Sequence, residues 1–185
     1  KHTALHIIRL GTSGALQADI PVDTLIASRY GLGFDGLLNF YAYDEKMLEM
    51  EMITAFMKHT HWNERLPFPY IVACSDELLQ ALGGDVKSGI TVTANGFYGP
   101  QGRQLRIPLA FPELNQLIET FSFKGQQITN FEMETSALFG LGRVLGHKTL
   151  TICAIIANRV RKEYSKDYKV TVDHMISLAL DKLTR

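Results

Sequence analysis

The residues best suited to chemistry fall in four short segments of the 185-residue chain: IIRLGTSG, TANGFYGPQGRQLR, NFEMET and AIIANR. Their side chains supply guanidinium, amide, hydroxyl and carboxylate groups. Together these groups can bind an anion, the edge of a polar ring and a pair of hydroxyls. Each segment also has a plain structural interpretation, so each is weighed on its own residues first.

The first segment places Arg9 at the end of an apolar run and follows it with Gly11, Thr12, Ser13 and Gly14. A glycine-rich turn can point backbone N–H groups and hydroxyls at an anion. A guanidinium beside it adds a two-pronged donor that suits phosphate. The alternative is a tight turn after a strand, with Arg9 in a structural ion pair.

The second segment, residues 91–104, is rich in glycine, which predicts a loop. It also carries Phe97, Gln101 and Arg103. An amide next to a guanidinium can read a heterocycle that has both carbonyl and N–H groups, while an aromatic ring packs on its face. The alternative is a surface loop with a solvated arginine.

The last two segments lie where strands are expected to end. Glu132 and Glu134 flank Met133, and a carboxylate can accept hydrogen bonds from two neighbouring hydroxyls, as in a sugar diol. The alternative is a helix start enriched in acids, which is stabilising in itself. Asn158 and Arg159 end a strongly apolar run, which is either a site position or an ordinary strand end.

The elements that must position these residues alternate between strands and helices. Strand patterns are ALHIIRLG, VDTLIASRYG, FPYIVACS, SGITVTANGF, QQITNFEME and KTLTICAIIANRV, with GTSGALQ as a turn after the first. Helix patterns are DEKMLEMEMITAFMKHT, DELLQALGG, LNQLIETFSFKG, METSALFGLGRVLG and VTVDHMISLALDKL. Continuously apolar strands predict an α/β protein whose sheet is covered on both faces, with ligands at the carboxyl ends of strands. We expect one domain, residues 1–185.

Composition excludes several classes of protein. The formal net charge is zero, so nothing points to nucleic acid or an anionic membrane. No apolar run reaches the ~18 residues of a membrane span, and a cytoplasmic location is the default. The histidines form no zinc-binding pattern, and no metal site is predicted. Cys74 and Cys153 lie in apolar runs and are expected to be reduced core residues.

The motifs RLGTSGAL, GFYGPQGR, NFEMETSAL and IIANR, in this order, resemble the uridine phosphorylases of the nucleoside phosphorylase-I family. The resemblance covers nearly the whole chain, from Ile8 onward. It implies a three-layer α/β/α fold with a central mixed sheet. Purine enzymes of the family usually have aspartate where Asn158 stands, so this asparagine favours a pyrimidine substrate.

The resemblance also implies roles, residue by residue. Arg9 and Thr12 match phosphate-binding residues, and Gln101 and Arg103 match the pair that hydrogen-bonds uracil. Arg103 and Glu134 would carry the catalysis. The base site would comprise Ser13, Phe97, Gln101, Arg103, Ile156 and Ala157, and the ribose site would comprise Thr12, Glu132, Met133 and Glu134.

The implied reaction is reversible phosphorolysis of uridine to uracil and ribose 1-phosphate, with phosphate as co-substrate and no cofactor. The family's N-terminal strands, which carry a G-D-P-x-R segment, have no counterpart before Arg9, so we expect this chain to be part of a longer protein. A homodimer or larger homo-oligomer is expected. The alternatives are a nucleosidase or a purine nucleoside phosphorylase of the same superfamily, or a nucleoside-binding fragment without activity.

Overall fold

The computed structural model describes residues 3–84 and 86–183, and a mixed β-sheet runs through it. The strands are β1 (His6–Ala15), β2 (Leu25–Gly33), β3 (Tyr70–Ala73), β4 (Lys87–Thr93), β5 (Ser122–Phe123), β6 (Gln126–Glu132), β7 (Lys148–Asn158) and β8 (Glu163–Tyr164). Their order is β3-β2-β4-β6-β1-β7-β8, and β5 pairs with β6. The predicted strands are therefore present, with two short ones added.

Strand β1 lies between β6 and β7 in this order. It pairs in parallel with β7 along its whole length, from His6 opposite Lys148 to Ala15 opposite Asn158. Its last residues also pair with β6 in the antiparallel sense. Strand β2 pairs with β4 and also with β7, so β2, β4, β6, β1 and β7 form a closed ring of strands.

Helices cover both faces of the sheet and give a three-layer α/β/α arrangement. They are α1 (Met50–Thr60), α2 (Asp76–Gly83), α3 (Leu114–Thr120), α4 (Thr135–Val144) and α5 (Tyr168–Leu183). Helix α4 packs against β2, β3, β4 and β7, and α5 packs against β1 and β7, while α1 and α3 contact each other and pack against β3 and β6. The core fills the space between these layers and includes Leu32, Phe56, Ile90, Ile128 and Ile152.

Two boundaries differ from those expected from the sequence. The segment from Gly11 to Gly14, predicted as a turn, continues β1, because its partner β7 extends alongside it and supplies a full ladder. The first long helix begins at Met50 rather than Asp44. Residues Glu45–Met47 form a separate 3₁₀ turn, and the extended backbone of Leu48 interrupts the helix.

The described residues include no helix with the length and apolar character needed to cross a bilayer. Both cysteines, Cys74 and Cys153, lie within the described chain and are buried free thiols, as predicted. Burial raises the pKa of each thiol to about 11.

Candidate active site

Arg9 projects from the middle of β1, and its side chain lies along the strand over Gly11. A Cβ added at Gly11 would lie 2.5 Å from Nη1 of Arg9, so glycine leaves the room that the guanidinium occupies. Nη1 lies 3.2 Å from a carboxylate oxygen of Glu132, and Nη2 pairs with Glu134. The structure therefore brings a predicted phosphate-binding residue directly against two predicted ribose-binding residues.

Glu132 ends β6 and caps helix α4. Its carboxylate accepts hydrogen bonds from the backbone N–H groups of Glu134 at 3.0 Å and Thr135 at 2.9 Å. It also accepts one from the hydroxyl of Thr93 at 2.6 Å. A buried carboxylate at a helix N-terminus satisfies donors that would otherwise lack partners and interacts favourably with the helix dipole. Glu132 thus forms the floor of the site.

Glu134 occupies the N-cap position of α4, yet its side chain makes no capping hydrogen bond within the described residues. Because Glu132 and Thr93 satisfy the first N–H groups of the helix, the Glu134 carboxylate is not needed as a cap and pairs with Arg9 instead. Its side chain is 58% exposed, against 2% for Glu132. Met133 between them is also exposed. Of the two carboxylates, Glu134 is the one that a ligand can reach.

The predicted base-reading pair forms a second cluster. Gln101 is buried, and its side-chain oxygen accepts hydrogen bonds from Arg103 Nη1 at 2.6 Å and from Arg159 Nη2. Its backbone oxygen accepts another from Arg159 Nη1 at 2.8 Å. With the amide oxygen held by two guanidinium groups, the Gln101 amide keeps one orientation. Its NH₂ is then the group that can donate to a ligand.

Phe97 stacks on Arg103. The guanidinium carbon lies 3.8 Å from the ring centre, and Arg103 Nη1 also donates to the Phe97 backbone oxygen at 2.6 Å. A cation over an aromatic face at this distance is stabilised by the ring quadrupole. Phe97 is 51% exposed, so its ring remains accessible to a ligand. The loop that contains these residues is thus ordered by its own polar side chains.

The cluster is electropositive. Burial lowers the pKa of Arg103, and burial together with the nearby Arg103 charge lowers the pKa of Arg159 to about 10. Neither guanidinium forms an ion pair with a carboxylate in the described chain, and Nε of Arg159 lacks a hydrogen-bond partner there. Burial and mutual repulsion disfavour the charged forms of Arg103 and Arg159, so a bound anion would stabilise both guanidinium groups. The Gln101 cluster is therefore suited to a ligand that carries negative charge.

Gly14 links the two clusters. It pairs with Phe131, the residue before Glu132, and a Cβ added to it would lie 3.3 Å from Nε of Arg159. The guanidinium of Arg159 also lies 5.0 Å from the centre of the Phe131 ring. Arg159 of the Gln101 cluster therefore lies beside the end of β6, where Glu132 of the Arg9 cluster is located.

Comparison with known proteins places this geometry in a family. The family model described as the phosphorylase superfamily matches residues 1–183. The chain belongs to this superfamily. A relative with 28% identity over 167 residues is the uridine phosphorylase of Thermococcus kodakarensis, aligned over 86% of this chain and 50% of that protein. Another is a DeoD-type purine nucleoside phosphorylase of Vibrio vulnificus, 26% identical over 96% of this chain and 62% of that protein.

A solved structure shares the phosphorylase fold. A nucleoside phosphorylase of Trypanosoma brucei, whose description states that it shows uridine phosphorylase activity, superposes with a TM-score of 0.79 at 22% identity. The match covers 97% of this chain and 63% of that chain. The chain thus spans about half to two thirds of the length of these phosphorylase superfamily members.

The remaining predicted residues lie on β1 and β7. Thr12 pairs with Ala154, and buried Ser13 accepts a hydrogen bond from the Asn130 amide at 2.9 Å. Between Ser13 and Gly14 the register shifts, so Ile156 is an extra residue in β7. Such a bulge re-aims side chains near functional sites. Of the two predicted base-lining residues, Ile156 is the bulged residue, and Ala157 follows it and pairs with Gly14.

Asn158 has a structural task that the sequence did not reveal. Its amide nitrogen donates to the backbone oxygens of Gln17 at 2.8 Å and Ile20 at 2.7 Å. Its oxygen accepts from the N–H of Arg161, and the side chain is buried. The Asn158 amide is therefore fully hydrogen-bonded to other parts of the chain. The residue at the end of β7 that contacts the Gln101 cluster is Arg159.

A large apolar cavity adjoins the base-reading loop. It measures about 1040 Å³. Its walls are mostly apolar, and they include Phe34, Trp62, Leu66, Tyr98, Arg103, Leu105, Ile107, Phe111 and Leu114. The polar groups of Gln101 and Arg159 are not among its lining residues. The space beyond Arg103 therefore differs in chemistry from the polar cluster itself.

The sequence marked Arg159 as a possible site position at a strand end, but it did not show that Arg159 is the second partner of Gln101. It missed two further contributors: Thr93 as the partner of Glu132 and Asn130 as the partner of Ser13. These two lie inside strands, where their side chains look like ordinary alternation. Only the pairing of β4, β6 and β1 shows what they contact.

Proposed function

We propose that the protein containing this chain catalyses the reversible phosphorolysis of uridine to uracil and ribose 1-phosphate. The observation that carries the proposal is the contact between Gln101 and Arg103, ordered on Phe97, beside the Arg9–Glu134 pair. The uridine phosphorylase relative and the four motifs support the same substrate. No cofactor is needed, since phosphate is the second substrate.

In this reaction the bond between C1′ of ribose and N1 of uracil breaks, and a phosphate oxygen forms a bond to C1′. The sugar carries positive charge as the bond lengthens, and uracil departs with the electron pair. Arg103 stabilises the negative charge that moves onto uracil, with Gln101 donating from its NH₂ group. Fixed donors at a point of developing charge contribute about 3–4 kcal/mol. The uracil anion then takes up, through solvent, the proton that hydrogen phosphate loses when it becomes the ribose 1-phosphate dianion.

The other cluster orients the two substrates. Arg9 and Thr12 position phosphate, and Glu134 accepts hydrogen bonds from the 2′- and 3′-hydroxyls of ribose. Because Arg9 and Glu134 are in contact, the phosphate and ribose they bind would be neighbours, as attack at C1′ requires. Ordering two reactants in this way removes much of the entropic cost of their meeting.

Charge near Arg9 is balanced before phosphate arrives. Burial alone would lower the pKa of Arg9, but the carboxylates of Glu132 and Glu134 offset this effect and help to raise it. Arg9 is therefore a permanent cation at working pH, the charge state that phosphate binding requires. The resemblance further supports a homodimer or larger assembly and a cytoplasmic location.

A second candidate is a purine nucleoside phosphorylase, which the Vibrio vulnificus relative favours. The two are separated by their substrates. The two-guanidinium cluster around Gln101 argues for uracil, because its donors match the carbonyl oxygens and the negative charge of the departing base.

The test is the release of uracil from uridine by the full-length protein, with and without phosphate, compared with the release of hypoxanthine from inosine. We expect phosphate-dependent uracil release. Release without phosphate would show a nucleosidase instead. Release from inosine alone would replace uridine with a purine nucleoside. The isolated chain, assayed in parallel, shows whether residues outside it are needed.

A further inference from the structure

A set of polar groups outside the site lies at the start of helix α4, around Asp35. One carboxylate oxygen of Asp35 accepts hydrogen bonds from the hydroxyl of Tyr70 at 2.8 Å and the N–H of Leu37 at 2.7 Å. The other accepts one from the hydroxyl of Ser136 at 2.8 Å. Tyr70 and Ser136 are fully buried. Both oxygens of Asp35 are thus used inside the protein.

This arrangement has little freedom to rearrange. The hydroxyls of Tyr70 and Ser136 lie 3.0 Å apart, and burial raises the pKa of Tyr70. The Tyr70 ring packs against Gly33, where any Cβ would overlap it. A buried hydroxyl left without a partner costs about 1–3 kcal/mol. The carboxylate of Asp35 also lies where the dipole of α4 favours negative charge.

A chain of hydrogen bonds connects Asp35 to the site. The N–H of Ser136 donates to the hydroxyl of Thr93 at 2.9 Å, and that hydroxyl donates to Glu132. Glu132 in turn accepts from the N–H of Glu134. The first residues of α4 are therefore fixed through the Ser136 side chain on one side and through their N–H groups on the other. The Glu134 side chain is partly exposed and its carboxylate pairs with Arg9, so its position depends on this fixed backbone and on that ion pair.

We propose that Asp35 is a positioning residue which acts through Ser136 to fix the first turn of α4 and so places the Glu134 carboxylate against the ribose hydroxyls. The inference rests on the proposed function, because it gives Asp35 a part in nucleoside binding. Asp35 touches neither substrate. Replacing Asp35 should therefore lower kcat/KM for nucleosides that Glu134 binds, and should have little effect once Glu134 itself has been replaced.

The test is a double-mutant cycle of Asp35→Ala and Glu134→Gln in the full-length protein, with kcat/KM measured for uridine and for 2′-deoxyuridine. We expect Asp35→Ala to lower kcat/KM for uridine roughly 10- to 100-fold, because small misplacements of an orienting group are costly. The loss for 2′-deoxyuridine should be smaller, since it lacks one hydroxyl that Glu134 binds. In the Glu134→Gln background, Asp35→Ala should add little.

Two further variants separate positioning from general destabilisation. Asp35→Asn retains an acceptor for Tyr70 and Leu37 and should restore most of the activity. Asp23→Ala is the matched control. Asp23 also accepts hydrogen bonds from two hydroxyls, those of Ser165 at 2.5 Å and Thr171 at 3.1 Å, but it lies beside α5. This control should leave the preference for uridine over 2′-deoxyuridine unchanged.

Losses that multiply in the double mutant, or an equal loss for both nucleosides, would overturn the inference. Amide hydrogen exchange of a peptide covering residues 132–140 provides a readout independent of turnover, and Asp35→Ala should speed exchange there while Asp23→Ala should not. If the wild-type protein releases no uracil, the proposed function fails. The exchange result then decides alone, and unchanged exchange in Asp35→Ala overturns the placement of α4 by Asp35.

Discussion

At the scale of single residues, the proposed base-binding cluster is centred on the side-chain amide of Gln101. Two guanidinium groups hold its oxygen, and Arg103 is further fixed by stacking on Phe97. The amide is therefore ordered before any ligand binds. Preorganised donors of this kind lose little energy to rearrangement during a reaction.

Replacing Arg103 with alanine should lower kcat/KM for uridine by about 10²- to 10³-fold, because a donor to the departing base is lost. The fold should remain intact, since Arg103 is partly exposed and its hydrogen bonds and ring contact in the described residues are to its own loop. The measurement is the initial rate of uracil release, with circular dichroism to monitor folding. Arg106→Ala is the matched control, a nearby exposed arginine in the same loop, and should retain activity. Normal turnover of the Arg103 variant would contradict the base site.

At the scale of elements, the junction between β6 and α4 divides tasks between two glutamates. Alternation alone could not separate them, because Glu132 and Glu134 lie at equivalent positions of one segment, and only the family resemblance gave Glu134 the catalytic role. In the structure the Glu132 carboxylate accepts hydrogen bonds from backbone N–H groups at the start of α4, whereas the Glu134 side chain is exposed. The division follows from the cap, which needs one buried carboxylate next to Thr93.

The two glutamates should therefore give opposite phenotypes when each is replaced with alanine. Glu132→Ala leaves two helix N–H groups and a buried hydroxyl without their acceptor, and should lower the free energy of unfolding by about 1–3 kcal/mol. Glu134→Ala removes an exposed ion pair, worth less than about 1 kcal/mol, but should abolish most turnover. Urea unfolding and uracil release measure the two effects. Equal stability of the two variants would refute the capping role of Glu132.

The features that can be predicted from the sequence also differ from one element to another. The alternation of strands and helices and the covered sheet followed from apolar patterns, and so did the expectation that the site lies at strand ends. The extension of β1 through Gly11–Gly14 did not, because glycine favours turns locally and only the ladder with β7 overrides that preference. The contact of Arg159 with Gln101 was equally hidden. It depends on where β7 ends relative to a loop 58 residues earlier in the chain.

At the scale of the whole molecule, the buried thiols report on the integrity of the core. Because burial raises the pKa of Cys74 and Cys153 to about 11, both remain protonated and unreactive in the folded protein at pH 8. We expect slow reaction with a disulfide reagent in native buffer and rapid reaction of two thiols per chain in guanidinium chloride. Immediate reaction of the native protein would contradict the burial of these residues.

The same shift gives a pH dependence of stability. A thiol with a higher pKa in the folded state binds more protons there than in the unfolded state. Its stabilising contribution is complete below the pKa of the unfolded thiol and is lost as pH rises toward about 11. The fall in urea midpoint between pH 8.5 and pH 10.5 should accordingly be smaller in Cys74→Ala than in the wild-type protein. An identical fall in both would exclude this thiol as a cause.

The closed ring of strands has a consequence for synthesis on the ribosome. In the described residues, β1 pairs with β6 and β7. The ladder at Arg9 therefore cannot form until its pairing partner Thr151 has been translated. At ~5–20 residues per second, that delay is on the order of ten seconds. During this time β1 lacks both of the strand partners that the described residues provide, which makes this apolar strand a candidate for chaperone binding. Of the site residues in this sequence, those translated first are thus among the last to reach their final positions.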